Sequence, residues 1–315
     1  MLRHRLALLA ALGSGLLPAH SAHAEGVDGD DPYAPQAPAA EEAEAKPAAA
    51  SGWCADGFET LARDVCFANP TSTKDQKVRT LVVFFHGLVD AGTSWQHAQQ
   101  KGMLLAAKRH GFQLIAPRGR TELGGKRKAD QIGWPTSAEA QERLEAGVLA
   151  EIAAARKEIE DRQQAPFDEV FVLGFSNGAY YGASLALRGK LDVAGYGVFA
   201  GGGAPKGMER LAKGTKNRAP VFVGIAEKDT TKEDGKALAK LLKSLKWPHK
   251  SVGKPVGHAV ADSHLELALT FLRDQAQKAR SAASAEKASA EKKAAAKEPA
   301  SPKPKKPSKA ARKKK

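Results

Sequence analysis

Ser176, Asp229 and His258 have the residue types that nucleophilic acyl transfer requires, in the chain order it takes when the serine sits on a strand-to-helix turn. Ser176 is the centre of Gly174-Phe175-Ser176-Asn177-Gly178, which follows the apolar run from Glu169. A serine hydroxyl is a weak nucleophile until an imidazole takes its proton, and that imidazole must be oriented by a carboxylate. On a sharp strand-to-helix turn the serine is forced into a strained backbone conformation. Glycines two positions to either side relieve the crowding and leave the hydroxyl standing above a sheet. The bland alternative is a Ser-Asn-Gly turn that does no more than cap the next helix.

On a turn of this kind the acid and then the base follow the nucleophile in the chain. Asp229 comes after the apolar run "VFVGIA", with Glu227 and Asp234 as its neighbours and competitors. His258 lies in "VGHAV", a loop before the last helical pattern. His264 falls in the first turn of that helix, where a surface or capping role is expected, and His249 comes earlier. His97 and His110 precede the serine and are out of order. Charge developing on a carbonyl oxygen needs N–H donors. "FFHGLVD" offers His86-Gly87-Leu88 at the end of another apolar run, with His86 shaping the loop and Gly87 allowing close approach. The amides of Leu88 and Asn177 are then the expected oxyanion donors.

The elements that must position these groups alternate. Thr80–Phe85 reads as a strand covered on both faces, Phe112–Ala116, Glu169–Phe175 and Pro220–Asp229 as further strands, and Ala194–Gly203 as a strand followed by a glycine loop. Ala138–Arg162 repeats Leu144, Val148, Ile152 and Ile159 at helical steps, and Asn177–Arg188, Thr231–Lys246 and Ser263–Ala276 are further helices. This alternation predicts an α/β fold, a mostly parallel central sheet flanked by helices on both faces, with its chemistry at the carboxyl ends of the strands.

Only part of the 315 residues suits a core, although 42% are hydrophobic. Residues 1–24 carry Arg3 and Arg5, a 12-residue apolar run, and small residues ending at Ala24. That is the layout of a cleaved secretory signal peptide, and the run is shorter than the roughly 20 residues a spanning helix needs. Residues 25–52 are acidic and rich in Pro and Ala, as in a disordered linker, so the folded domain is expected over 53–277. The export reading suits the two cysteines, and Cys54 and Cys66 are expected to form a short disulfide. Of the net charge of +14, residues 277–315 supply 14 basic against three acidic side chains. Residues 278–315 therefore read as a disordered basic tail, its first half (281–298) with helical propensity but no apolar face, open to an anionic surface or polymer, or serving only solubility. No transmembrane segment, metal-ligand cluster, phosphate-binding loop, cofactor motif or specific nucleic-acid module is expected.

Phe85-His86-Gly87-Leu88, "GFSNGA" from Gly174, Asp229 and Gly257-His258 together resemble the α/β-hydrolases. They are most similar to the small esterases of the carboxylesterase/phospholipase group and the polyhydroxybutyrate-depolymerase/feruloyl-esterase-like group. "HGLVD" is similar to the His-Gly-Leu-Gly-Asp of the former, with Val89 in place of a glycine. The resemblance spans about 80–273. It implies a Ser176-Asp229-His258 triad, hydrolysis of a carboxylic ester through an acyl-enzyme, and no cofactor. The aromatic residues Trp95, Trp134, Phe175, Tyr180 and Tyr181 lie near the motif loops, either stacking on a phenolic acid or a sugar or serving as core and pocket wall, and 132–140 reads as a rim loop leading into the long helix. The competing reading is a non-catalytic, envelope-associated binding protein whose working part is the tail.

Overall fold

The computed structural model describes residues 52–70, 78–90, 93–123, 130–203 and 207–297, with backbone alone for 291–297. The expected signal peptide, nearly all of the linker, and residues 298–315 lie outside the described residues. In chain order the elements are β1 (Glu59–Leu61), β2 (Val65–Ala68), β3 (Thr80–Phe85), β4 (Val89–Asp90), α1 (Ser94–His110), β5 (Gln113–Ala116), β6 (Gln131–Ile132) and α2 (Ala138–Arg162). They continue with β7 (Glu169–Phe175), α3 (Asn177–Arg188), β8 (Gly195–Phe199), α4 (Met208–Gly214), β9 (Val221–Ala226), α5 (Lys232–Ser244), β10 (His249–Lys254) and α6 (Asp262–Lys297).

Eight strands form one sheet in the order β1-β2-β5-β3-β7-β8-β9-β10. All neighbours pair in parallel from β5 to β10, whereas β1, β2 and β5 pair antiparallel at one edge. The residues of β3 and β7 are buried throughout, because helices cover both faces of the sheet. On one face Val148, Ile152 and Ile159 of α2, Leu185 and Leu187 of α3, and Leu238 and Leu242 of α5 pack on the strands. On the other face Met103 and Leu104 of α1 pack with Leu265, Leu269 and Leu272 of α6. The register pairs Phe85 with Gly174 and Phe175 with Phe199. The strands β3, β7 and β8 therefore end level, and the loops after them emerge side by side.

Several elements differ from the sequence expectation. β10, "HKSVGK", carries no apolar alternation, because it is an edge strand whose exposed flank needs none. Helix α6 does not stop at Ala276 but continues to Lys297, so residues 278–297 of the expected tail are helical. Ala, Glu and Lys favour that state without packing. Among the described side chains of α6, the last tied to the body is Arg280, 2.9 Å from the buried Glu169 carboxylate, which also accepts from Thr80 Oγ1 at 2.8 Å. No helix among the described residues is long and apolar enough to cross a membrane.

Candidate active site

The turn between β7 and α3 holds Ser176 at φ 51° and ψ −117°, a conformation that L-residues rarely adopt. Such strain costs on the order of 1–3 kcal/mol and must be imposed by the surroundings. Here they impose it closely. A Cβ on Gly178 would lie 2.1 Å from the Phe85 carbonyl oxygen, and one on Gly174 would lie 2.3 Å from the Gly178 carbonyl oxygen. Only glycine fits either place, and the turn is thereby pressed against the end of β3. The Ser176 N–H donates to the Phe199 carbonyl at 3.0 Å, tying the turn to β8 as well.

His258 comes from the loop between β10 and α6. Its Nε2 lies 2.8 Å from Ser176 Oγ, and its Nδ1 lies 2.6 Å from Asp229 Oδ2. An ionised carboxylate can only accept, so Nδ1 carries the proton and Nε2 is left to accept from the serine hydroxyl. Asp229 follows β9 and is buried. Burial would raise its carboxyl, but hydrogen bonds from His258 and Thr231 more than offset this and hold it below the ordinary carboxylate range. Thr231 donates twice, from Oγ1 to Oδ2 at 2.7 Å and from its N–H to Oδ1 at 3.3 Å. Of the competing acids, Glu227 is exposed and Asp234 accepts from the Tyr180 hydroxyl.

The loop after β3 lies against the turn, since a Cβ on Gly87 would be 3.2 Å from the Ser176 Cβ. His86 is buried and its imidazole is pushed down to about 4 by burial, although its bond to Gly87 opposes the shift. Its Nε2 accepts from the Gly119 N–H at 3.1 Å, so its Nδ1–H donates to the Gly87 carbonyl at 2.6 Å. His86 is thus a neutral strut. Among the described residues no acceptor takes the N–H of Leu88 or of Asn177. Val89, where the similar motif has glycine, is buried and extended and pairs with Ile132.

Two expectations need correction. His264 is neither a surface nor a capping residue: it is fully buried, its Nε2–H donates to the Val252 carbonyl, and burial lowers its pKa to about 4. Residues 132–135 are buried and do not form a rim. Trp134 donates from its backbone N–H to Asn177 Oδ1 at 2.6 Å and from Nε1 to the His86 carbonyl at 2.8 Å, clasping the two loops together. Trp134 and Tyr181 stack in the core with centroids 5.8 Å apart, as the core reading of these aromatics has it. Phe175 and Trp95 are nearer the chemistry, with the Phe175 ring 5.0 Å from His258 and 6.4 Å from Trp95.

Cys54 and Cys66 are bonded to each other, tethering the start of the domain to β2. Among the described residues no group of His, Cys, Asp and Glu is arranged to hold a metal ion. Sequence reasoning missed the buried glutamines of α1. Gln99 Oε1 accepts from the Gly87 N–H at 2.6 Å, and Gln96 and Gln100 hold the backbone of Trp53. The one signal was their spacing at i, i+3 and i+4.

A family model described as phospholipase/carboxylesterase matches residues 69–275. No curated protein sequence matches the chain significantly. Among solved structures, esterase B from Lactobacillus rhamnosis, in a structure with a tributyrin phosphonate, is 11% identical with a TM-score of 0.51. The match covers 75% of this chain and 91% of that one. A carboxylesterase from Mesorhizobium loti is 18% identical (TM-score 0.48, covering 67% and 96%), and one from Bacillus cereus is 14% identical (0.45, covering 67% and 94%). The likeness to the Lactobacillus enzyme is one of fold.

Proposed function

Because the chain belongs to the phospholipase/carboxylesterase family of α/β-hydrolases, we propose that it is a serine hydrolase that cleaves carboxylic esters through an acyl-enzyme on Ser176. The observation that carries this reading is the continuous line Ser176 Oγ, His258 Nε2, His258 Nδ1, Asp229 Oδ2, with contacts of 2.8 and 2.6 Å. His258 takes the hydroxyl proton as Oγ attacks the ester carbonyl, and the N–H groups of Leu88 and Asn177 receive the oxyanion. Collapse of the intermediate expels the alcohol, which takes the proton back from His258. Water then repeats the sequence on the acyl-enzyme and releases the acid. Asp229 keeps the imidazole in the tautomer this requires.

The same proposal sets the enzyme outside the cytoplasm. The leader-like residues 1–24 and the Cys54–Cys66 disulfide support that setting. It also gives the basic tail an anionic surface or polymer as partner, supported by the excess of 14 basic over three acidic side chains in residues 277–315 and by the exposure of 281–290. A truncation removing Ala282–Lys315 spares the Arg280–Glu169 contact. It is expected to abolish salt-sensitive retention on an anionic matrix and to leave ester turnover unchanged.

Turnover of p-nitrophenyl acetate through octanoate, measured on wild type and Ser176→Ala, tests the central reading. Hydrolysis by wild type and none above background by the variant is expected. Equal rates, or no turnover of any ester by wild type, would overturn it.

A further inference from the structure

Gly87 is gripped at both of its peptide groups. Its N–H donates to Gln99 Oε1 at 2.6 Å, and its carbonyl accepts from His86 Nδ1 at 2.6 Å. A trans peptide is planar, so the Gly87 carbonyl and the Leu88 N–H are opposite ends of one rigid plate. Holding the carbonyl aims the N–H. Holding the Gly87 N–H fixes the preceding plate, and the two grips together remove the backbone freedom that glycine would otherwise have.

The grip does not end at Gln99. Gln96, Gln99 and Gln100 lie on one face of α1, and all three are buried. Gln96 and Gln100 donate from Nε2 to the Trp53 carbonyl at 2.7 and 3.0 Å, and Gln100 Oε1 accepts from the Ala55 N–H at 2.6 Å. The Trp53 ring then rests 5.2 Å from the His86 ring. Between Trp53 and Ala55 stands Cys54, bonded to Cys66 on β2. The disulfide-anchored start of the domain, the first turns of α1 and the loop after β3 are thereby one hydrogen-bonded body.

Gln99 gains the fold little net stability from its bond to Gly87. Its Nε2 is buried without a partner among the described residues, and an unpaired buried donor costs stability that an apolar side chain of the same length would not. We propose that Gln99 is a positioning residue for ester hydrolysis, aiming the Leu88 N–H at the oxyanion, with the Gln96 and Gln100 bonds to the Trp53 backbone and the Trp53 ring against His86 holding the loop in place. This rests on the ester-hydrolase reading of the site and adds to it residues that touch no substrate.

The test is the rate at which a fluorophosphonate labels Ser176, a step in which the Ser176 Oγ–P bond forms, fluoride leaves and His258 takes the proton. It needs the oxyanion donors but no knowledge of the natural ester. Gln99→Met, Trp53→Leu and, as a buried glutamine remote from the loop, Gln113→Met are compared with wild type, alongside kcat and KM on a p-nitrophenyl ester. Gln99→Met is expected to label roughly tenfold more slowly and Trp53→Leu about threefold. KM should be unchanged, melting temperatures should stay within about 3 °C, and Gln113→Met should match wild type. Should Gln99→Met not fold, Gln99→Asn, whose shorter arm withdraws the acceptor, takes its place. Wild-type labelling by the Gln99 variant, or a loss shared with Gln113→Met, would overturn the inference. If wild type is labelled but hydrolyses no ester, the ester reading falls while the labelling comparison still decides the inference. An unlabelled wild type overturns both.

Discussion

Gly178 stands so close to Phe85 that a Cβ on it would sit 2.1 Å from that residue's carbonyl oxygen. The contact joins the first turn of α3 to the end of β3, and it holds Ser176 in its left-handed conformation. Gly178→Ala has no side chain that can move aside, so the backbone must. A loss of about 3 kcal/mol or more is expected, read as a drop in the urea midpoint. A midpoint equal to that of wild type would show that the turn is not held by this approach.

Asp229→Asn preserves shape and removes charge. An amide can present an N–H to His258 Nδ1, which then becomes the acceptor and leaves Nε2 protonated and unable to take the Ser176 proton. The precedent among serine proteases is a fall in kcat of roughly 10⁴. A comparable fall, with KM and the far-ultraviolet spectrum unchanged, is expected here. A decrease of less than about tenfold would mean that Asp229 does not set the tautomer.

Acid should unfold the protein earlier than its carboxylates alone would dictate. Burial lowers the pKa of both His86 and His264 to about 4, whereas an imidazole in the unfolded chain titrates near 6.5. Between those values the unfolded chain binds more protons, so stability rises with pH across the window and is lost as pH falls through it. The stabilising contribution is complete above the unfolded value, and each histidine accounts for up to roughly 3 kcal/mol. The Asp229 carboxyl, also lowered, acts with the same sign at lower pH. Urea midpoints measured from pH 7.5 to 4.5 are expected to decline steeply below about 6.5. A flat profile would contradict the two buried neutral imidazoles.

Arg188 on α3 binds Glu145 on α2 through two contacts, of 2.8 and 2.6 Å, with both side chains nearly buried. Removing one partner strands the other charge away from water. Arg188→Met is expected to cost about 3–5 kcal/mol, and Arg188→Met with Glu145→Leu is expected to recover most of it. Thermal melts of the single and double variants measure the coupling, and an additive double variant would deny it.

Legibility in the sequence followed burial. β7 and α3 were readable to the residue, since a strand covered on both faces is a continuous apolar run and the helix after it begins at a glycine turn. α1 does not read as a helix in the sequence. Its buried face carries Gln96, Gln99 and Gln100, which look like a solvated face until their backbone partners are known. β10 escaped because an edge strand of Lys, Ser and Gly has no pattern to show. His264 reads as a surface or capping residue because one helical turn does not reveal that Phe199 and Val252 close over it.

Local chemistry was decided by the sequence alone: a serine between two glycines after an apolar run, a histidine late in the chain, and two cysteines close enough to pair. These are matters of neighbours in the chain, where backbone sterics and short loops act directly. The tertiary structure decided which groups meet across long separations. It brought His258 to Ser176 across 82 residues, chose Asp229 over Glu227 and Asp234, turned Trp134 inward, and set Gln99 on Gly87. Such meetings depend on the register of β3, β7 and β8 and on helices packed from both faces, which no segment of the chain carries by itself.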